Sequence, residues 1–306
     1  FYDLKLDSTG NIYTAGVTNS ASSWNSNQTN AGGYDILISK FDNDGNFLWA
    51  NPLGQEALAG TGIPTPGSSS DYCTDMELDQ DENIYCAGYT LGNLSETNGS
   101  GSPASDHLDL ILVKLSAGEN GALKWIKQLG TETQSSFNTA NPTTPIDTSG
   151  YEKCATIALG PNNEVFCAGT TYSHLAETNG GDSIGTCAPD TAQIDRDSCE
   201  LAGSVWTITN YIDGFLWKVT QNSAGTAVED FEITQFGENS IPCNDNNCGD
   251  SESNEWQTAM FVDQSGIVYI GGAGNEQSSD SESGGGNAYV FKIDQVEALD
   301  TSLTAK

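Results

Sequence analysis

The chain alternates apolar and polar residues in short runs that are separated by turns rich in Asp, Asn and Gly. Alternation with a period of two places apolar side chains on one face of a β-strand. Four stretches share one order of strand, turn and strand, and each ends at a glycine: LKLDSTGNIYTAG (4–16), MELDQDENIYCAG (76–88), IALGPNNEVFCAG (157–169) and MFVDQSGIVYIGG (260–272). The pattern predicts the same β-hairpin four times.

Two more strands are predicted after each hairpin. Third strands fall at 34–42, 108–116, 212–220 and 287–295, and fourth strands at 46–54, 123–130 and 230–237, with VEALDTSL as the least typical last copy. Four strands connected in sequence describe one blade of a β-propeller. We therefore predict an all-β fold in a single domain, 1–306, with four-stranded antiparallel blades at 1–56, 72–131, 152–239 and 255–306.

Long polar connections rich in Gly, Ser and Asn leave after the second strand of every unit, at 17–33, 90–106, 173–210 and 275–286. Repeat proteins commonly place such insertions on one face, which becomes the binding face. The sequence does not indicate which strand of each blade lies nearest the central axis.

A lysine recurs in every third strand, five residues after an Asp or Asn: Asp35/Lys40, Asp109/Lys114, Asp213/Lys218 and Asn287/Lys292. The chain has ten basic residues, so four of them at one repeat position indicate an architectural role. We predict structural ion pairs here, in which each lysine binds a carboxylate or strand-end carbonyls where blades meet. A functional row of cations is the alternative.

These units resemble the bacterial SBBP-type β-propeller repeat, with DSTGNIYTAG, GGYDILISKFDNDGNFLW and PLG in the first unit as the fullest match. The resemblance implies the propeller fold and an extracellular or cell-surface setting, but no particular chemistry. The family often has more than four repeats. A four-bladed ring, part of a larger ring and two chains that complete one ring all fit, and we favour a fragment because the chain begins almost on a strand.

Eight cysteines, with no CxxC or Cys/His spacing typical of zinc, predict disulfides in an oxidising compartment. Cys73 and Cys86 lie thirteen residues apart at positions equivalent to Cys154 and Cys167, and each pair is predicted to bond within its blade. A short turn would place Cys86 opposite Met76, so the bond requires a bulge or a chain that folds back. The remaining bonds, Cys187–Cys199 and Cys243–Cys248, would staple the inserted loops.

The net charge of −32, from 42 acidic and ten basic residues, excludes nucleic acid and anionic membrane as partners. No apolar run is long enough for a transmembrane helix, so we expect no membrane insertion. A divalent cation, a basic partner or a salty external medium suits this charge. Together with the cysteines, it favours a secreted or cell-surface protein.

Calcium is the one cofactor for which the sequence offers candidate ligands. Asp42, Asp44 and Asn46 resemble the start of a calcium loop, but Pro52 and Leu53 lie where an EF-hand has its last glutamate. The favoured interpretation is a hairpin turn, which uses the same residue types. Asp245 and Asp250, with Asn247 and Glu252, form a second candidate in another polar loop.

Catalytic patterns are sparse. The two histidines, His107 and His174, lie in loop-like stretches, and no serine has a G-x-S-x-G context. Among the tryptophans, Trp49 and Trp125 occupy a core strand position, whereas Trp24, Trp206 and Trp256 lie in or beside loops. The leading hypothesis is a non-enzymatic scaffold that binds a glycan, a protein partner or copies of itself. The alternatives are a secreted polysaccharide hydrolase or lyase with loop carboxylates, and a structural subunit of a fibre or surface layer.

Overall fold

The computed structural model describes residues 1–20, 33–54, 70–92, 94, 108–118, 120–130, 152–171, 185–188, 205–208, 213–236, 255–274 and 287–293. Every regular element in these ranges is a β-strand, and every strand pair is antiparallel. The all-β class predicted from the sequence is therefore confirmed. In the part of the chain described here, no helix is long and apolar enough to cross a membrane.

The strands form four successive sheets. The first sheet has the strands β1 (Asp3–Leu6), β2 (Ile12–Thr18), β3 (Asp35–Phe41) and β4 (Phe47–Leu53). The second has β5 (Asp71–Leu78), β6 (Ile84–Thr90), β7 (Asp109–Leu115) and β8 (Leu123–Leu129). The third has β9 (Glu152–Leu159), β10 (Glu164–Thr171), β13 (Asp213–Gln221) and β14 (Val228–Phe236). The fourth has β15 (Glu255–Val262), β16 (Val268–Gly274) and β17 (Asn287–Ile293).

The third sheet encloses an additional hairpin that the sequence does not predict. The strands β11 (Gly185–Ala188) and β12 (Val205–Ile208) pair with each other inside the insertion between β10 and β13. This insertion is therefore not merely a loop between two strands of the repeat.

Consecutive sheets pack face to face, in chain order. The first two sheets share an apolar cluster around Tyr13, Trp49 and Met76. The second and third share one around Tyr85, Trp125 and Trp217, and the third and fourth share a smaller one. Because the two inner sheets are covered on both faces, their central strands are apolar at nearly every position, as β7 illustrates with seven buried residues in a row.

The first strand of each later sheet packs against the sheet before it. β1 packs on β5, β5 on β9 and β9 on β15, whereas the fourth strands β4, β8 and β14 make no comparable contact between the described sheets. The first and fourth sheets likewise make no comparable contact with each other in the described ranges. Within the described ranges the four sheets therefore follow one another in a row, with their first strands along one side.

A β-bulge in the first strand explains the glycines that end the second and third hairpins, Gly88 and Gly169. In β5 the register shifts between Cys73 and Asp75, so that Met76 lies opposite Cys86 and Cys73 lies opposite Gly88. Similar shifts occur between β9 and β10 and between β15 and β16. The bulged backbone then crosses close above the glycine, where a Cβ atom would overlap the carbonyl oxygen of Tyr72 at Gly88 and of Lys153 at Gly169.

The same bulge permits both disulfides expected within the hairpins. It brings Cys73 to a Cα–Cα distance of 5.7 Å from Cys86. The corresponding distance between Cys154 and Cys167 is 5.8 Å. The structure contains both bonds, and all four cysteines are fully buried.

Replacing both Cys73 and Cys86 with alanine is expected to lower the free energy of unfolding by roughly 3 kcal/mol. The bond closes a short loop in the unfolded chain, and the conformational entropy that this closure removes is of about that size. Reductant also breaks the Cys154–Cys167 bond, so reduction of the wild-type protein should cost more stability than the double substitution does. Urea unfolding with and without reductant measures both. A double variant that still loses stability on reduction to the same extent as wild type would show that the Cys154–Cys167 bond carries the effect.

Candidate functional site

All four long insertions leave from the same end of the row of sheets, because each connects the end of a second strand to the start of a third. Thr18 pairs with Asp35, Thr90 with Asp109 and Thr171 with Asp213 at this end. The opposite end carries the short hairpin turns. We call the end from which the insertions leave the insertion end.

Four tyrosines form a surface cluster at the insertion end, which we call the tyrosine patch: Tyr2, Tyr34, Tyr72 and Tyr89. The rings of Tyr72 and Tyr89 stack with centroids 4.6 Å apart. The rings of Tyr2 and Tyr34 lie 6.5 and 6.3 Å from that of Tyr72. Tyr2 and Tyr34 are exposed, and the other two are partly exposed. The patch therefore presents aromatic faces to solvent.

Each tyrosine is positioned by the repeat. Tyr72 and Tyr89 are cross-strand partners in β5 and β6, one residue beyond the bulge. Tyr34 immediately precedes β3, where its carbonyl oxygen accepts a 2.6 Å hydrogen bond from the amide of Asp71. Its own amide donates to the hydroxyl of Ser70 at 3.2 Å. The patch thus spans the junction between the first and second sheets.

A cation from the third sheet borders the patch. The Lys153 Nζ lies 4.9 Å from the centroid of the Tyr89 ring, within the range of a cation–π contact. Lys153 occupies in β9 the position that Tyr72 occupies in β5, because each residue immediately precedes the cysteine that lies opposite the glycine. The patch therefore combines exposed aromatic rings with a positive charge on an otherwise acidic protein.

Buried carboxyl groups lie beneath the insertion end. Asp35 and Asp71 are each 1% exposed, and Asp109 and Glu152 are buried at the next junction. The hydroxyl of Thr90 donates a hydrogen bond to Asp71. The other carboxyl oxygen of Asp71 is buried and has no hydrogen-bond partner in the described part of the chain. Burial, together with the nearby charge of Asp35, raises the pKa of Asp71 to about 7.

The glycine that follows each fourth strand makes room for these acids. A Cβ atom at Gly54 would overlap the carboxyl group of Asp35, and one at Gly130 would overlap that of Asp109. The repeated Leu-Gly at the end of the unit is therefore required by the Asp at the start of the third strand.

Gln128 anchors the start of the second insertion. Its amide nitrogen donates to the Gly92 carbonyl at 2.8 Å and to Asp109 at 2.6 Å, and its oxygen accepts from the Leu94 amide at 2.8 Å. Leu94 in turn is buried in the core between the first two sheets. The described start of the insertion, Gly92 and Leu94, is therefore held against the second sheet.

The recurrent lysines bind the turn after the first strand of their own sheet. Lys40 lies 3.4 Å from Asp7, and Lys114 lies 3.9 Å from Asp79. Each ammonium also lies over a tyrosine ring of the second strand, at 4.5 Å for Tyr13 and 4.8 Å for Tyr85. The lysines therefore connect the strands of one sheet at the end opposite the insertions.

The acids five residues earlier are not the partners of these lysines. Asp35 and Lys40 lie at opposite ends of β3 and on opposite faces, because side chains alternate along a strand. The same holds for Asp109 and Lys114 in β7. Asp35 and Asp109 belong to the buried insertion end instead, and the side chain of Asp213 lies outside the described residues.

The lysines differ in how far they reach towards the next sheet. Lys114 also contacts Gln221 of the third sheet at 3.1 Å, and burial lowers its pKa. Lys218 lies 3.8 Å from Glu164 and 3.4 Å from Glu232, both in its own sheet. Lys292 is exposed in β17. The expected contact where sheets meet thus occurs at Lys114, in addition to the pair within its sheet.

Asp42 forms a hairpin turn with its own neighbours. One carboxylate oxygen accepts hydrogen bonds from the amides of Asp44 and Asn46 at 3.0 and 2.8 Å, and the other accepts from the Asn46 side chain. Gly45 supplies the positive φ that the turn requires. The same arrangement recurs at Asp7, Asp79 and Asp263. These acids are oriented by backbone donors of their own turns.

No group of three or more His, Cys, Asp or Glu side chains suited to a metal occurs among the described residues. Asp245 and Asp250, the second calcium candidate, lie outside them. So do the side chains of Cys187, Cys199, Cys243 and Cys248, both histidines and the loop tryptophans. Trp49 and Trp125 are buried, as their strand position predicts.

The tyrosine patch was missed by reasoning from the sequence, which considered tryptophans alone as exposed aromatic contacts. A signal was present, since Tyr34, Tyr72 and Tyr89 all border the insertions or strand starts. What the sequence lacks is the proximity of Tyr34 to Tyr72, which the packing of the first sheet on the second produces.

No protein-family model matches the chain, and no curated protein matches it either.

Proposed function

We propose that the protein is a secreted or cell-surface binding module without catalytic activity, built as a β-propeller of the SBBP type, which holds a glycan on its tyrosine patch. The observation that carries the proposal is this cluster of exposed aromatic rings at the end where every insertion leaves. Aromatic rings with a polar hydroxyl present both an apolar face and a hydrogen-bonding edge, which suits the alternating C–H and O–H surfaces of a sugar.

Several properties of the fold support a propeller. Four antiparallel sheets, the first three with four strands and the last with three in the described residues, follow one another in the chain and pack face to face. This is the relation between neighbouring propeller blades around an axis. The first strands would then lie nearest the axis, with the tyrosine patch at the rim of one opening.

The net charge of the chain indicates which class of glycan is expected to bind. The chain carries a net charge of −32, so uronic-acid-rich and sulfated polysaccharides are repelled at long range. The Lys153 ammonium beside Tyr89 can donate hydrogen bonds to a ligand, but one positive charge does not reverse the negative potential of the chain. Neutral and amino-sugar polysaccharides are the expected ligands.

A hydrolase that uses paired carboxylates is supported less well. The neighbouring acids Asp35 and Asp71, and the buried pair at the next junction, are closed to a substrate of any size. A general acid must reach the glycosidic oxygen within hydrogen-bonding distance. These acids therefore serve the packing of the insertion end.

The test is retention of the purified chain on immobilised neutral, amino-sugar and acidic polysaccharides, with calcium and with chelator. Tyr34→Ala is expected to weaken retention on the bound class about tenfold, as the loss of one stacking ring implies. Tyr34→Phe should retain most of the affinity, because the ring remains.

Phe231→Ala is the matched control, since Phe231 is an exposed aromatic residue in β14, away from the patch. Retention that is equal for wild type and Tyr34→Ala would refute the patch as the binding surface. No retention on any class would refute glycan binding itself. Retention that requires calcium would indicate that the acidic loops, and not the tyrosine patch, bind the glycan.

A further inference from the structure

The first sheet exposes an apolar face of the kind that the other sheets bury. Leu4 and Leu6 in β1 are 54% and 61% exposed, and Phe47 in β4 is 43% exposed. Ile12 and Phe41 lie between them on the same face, by the register of β1, β2 and β3. We call this surface the Leu6 face.

The repeat assigns a partner to the Leu6 face. In the second sheet the equivalent positions are Met76, Leu78, Ile84, Leu115 and Leu123. All five pack into the cluster shared with the first sheet. The corresponding residues of the third and fourth sheets likewise pack against the preceding sheet: Ile157, Leu159, Val165 and Val219, then Met260, Val262, Val268 and Ile293.

The fourth sheet exposes the complementary face. Val290 in β17 is 75% exposed and Phe261 in β15 is 63% exposed, with Tyr269 beside them. Val290 pairs with Gly271, as Ile38 pairs with Ala15, Leu112 with Ala87 and Leu216 with Ala168. Ile38, Leu112 and Leu216 are almost completely buried against the following sheet. We call this second surface the Val290 face.

We propose that the Val290 face of one chain binds the Leu6 face of a second copy, head to tail. The chain already forms this pair of faces three times within itself, so the contact between copies continues an existing interface. Each chain carries the Leu6 face on its first sheet and the Val290 face on its fourth sheet. A second copy supplies the complementary face for both. Two dissimilar faces make a heterologous contact, which closes into a ring if the rotation allows and otherwise extends as a filament.

The net charge of −32 on each chain opposes this association at low ionic strength. Salt screens that repulsion, whereas the burial of apolar side chains is not weakened by it. The molar mass in solution should therefore rise with protein concentration, and more strongly in high sodium chloride.

The experiment measures molar mass by sedimentation equilibrium for wild type, Leu6→Lys and Val290→Lys. Each variant lacks one of the two faces that every contact requires, so its self-association should be at least about tenfold weaker than that of wild type. A mixture of the two variants keeps one intact Val290 face and one intact Leu6 face. It should form a one-to-one complex that does not grow further.

Ser223→Lys serves as the control, because it places a lysine at an exposed turn position that belongs to neither face. Circular dichroism checks that every variant is folded, and Leu6→Ser with Val290→Ser replaces the lysine pair if it is not. A wild-type chain that stays monomeric at all concentrations and salt levels overturns the proposal. Association that survives both substitutions, or that the mixture fails to restore, overturns the head-to-tail contact.

Discussion

Replacing Gly88 with alanine is expected to lower the free energy of unfolding by about 3 kcal/mol or more, a loss at the upper end of those caused by overpacking. The added Cβ would overlap the Tyr72 carbonyl oxygen and crowd the Cα of Cys73. These are backbone atoms, which cannot rotate away as a side chain does. β5 and β6 would have to separate at the bulge, where the Cys73–Cys86 bond joins them.

Gly118→Ala is the matched control, because a Cβ atom there meets nothing within 4 Å. Both substitutions reduce the entropy of the unfolded chain equally, so the difference between them isolates the overlap. Urea unfolding curves for the two variants and wild type provide the measurement. Equal midpoints for Gly88→Ala and Gly118→Ala would mean that the bulge does not hold the strands this close.

The free energy of unfolding is expected to decrease as the pH rises from about 4 to 7, and then to level off. Folded Asp71 keeps its proton up to about pH 7, whereas an unfolded chain releases it near 3.8. Between these values the folded state binds more protons, so the contribution of this group is present at low pH and is lost on the way to neutrality. The gap corresponds to at most about 4 kcal/mol.

Asp71→Asn should remove this dependence and be more stable than wild type above pH 7, since the amide has no charge to repel Asp35. Glu229→Gln, which removes one acid from an exposed position in β14, controls for the change in net charge. Unfolding midpoints at pH 5 and pH 8 distinguish the variants. A wild-type protein that is equally stable at both values, or an asparagine variant with the wild-type slope, would contradict the assignment to Asp71.

Asp7 acts in a separate pH range. Although its burial opposes the charged form, donors from Asn11 and Thr9 hold the pKa of Asp7 well below its ordinary value. Its stabilising effect is therefore present above pH 4 and is lost only in stronger acid. The decrease ascribed to Asp71 lies above that range, so the two effects do not cancel there.

The strands and turns could be predicted from the sequence because each depends on a few neighbouring residues. The hairpin turn at Asp42 needs only an acceptor side chain and a glycine three residues later, and both are present in the local sequence. Alternation of apolar residues specifies strand faces in the same way. The pairing of Cys73 with Cys86 followed from comparing repeats, although the bulge that permits it had to be postulated.

The lysine position shows where the repeat was read correctly but its partners were not. Recurrence at Lys40 and Lys114 indicated a structural role, and the shared spacing suggested the acids five residues earlier. The partners Asp7 and Asp79 lie more than thirty residues earlier, and they meet the lysines because the third strand pairs with the second. Spacing along one strand, which suggested Asp35 and Asp109, joins residues that point to opposite faces.

By itself the sequence determined the all-β class, the fourfold repeat, the turns and the acidic character of this protein, since period, turn chemistry and charge are properties of short segments. Only the tertiary structure decided the tyrosine patch, the buried carboxyl pair of Asp35 and Asp71, and the two apolar end faces. The patch and the carboxyl pair lie where the first sheet packs on the second, and the two end faces are sheet faces that no other described sheet covers. Such contacts depend on distances between residues far apart in the chain, which local alternation does not encode.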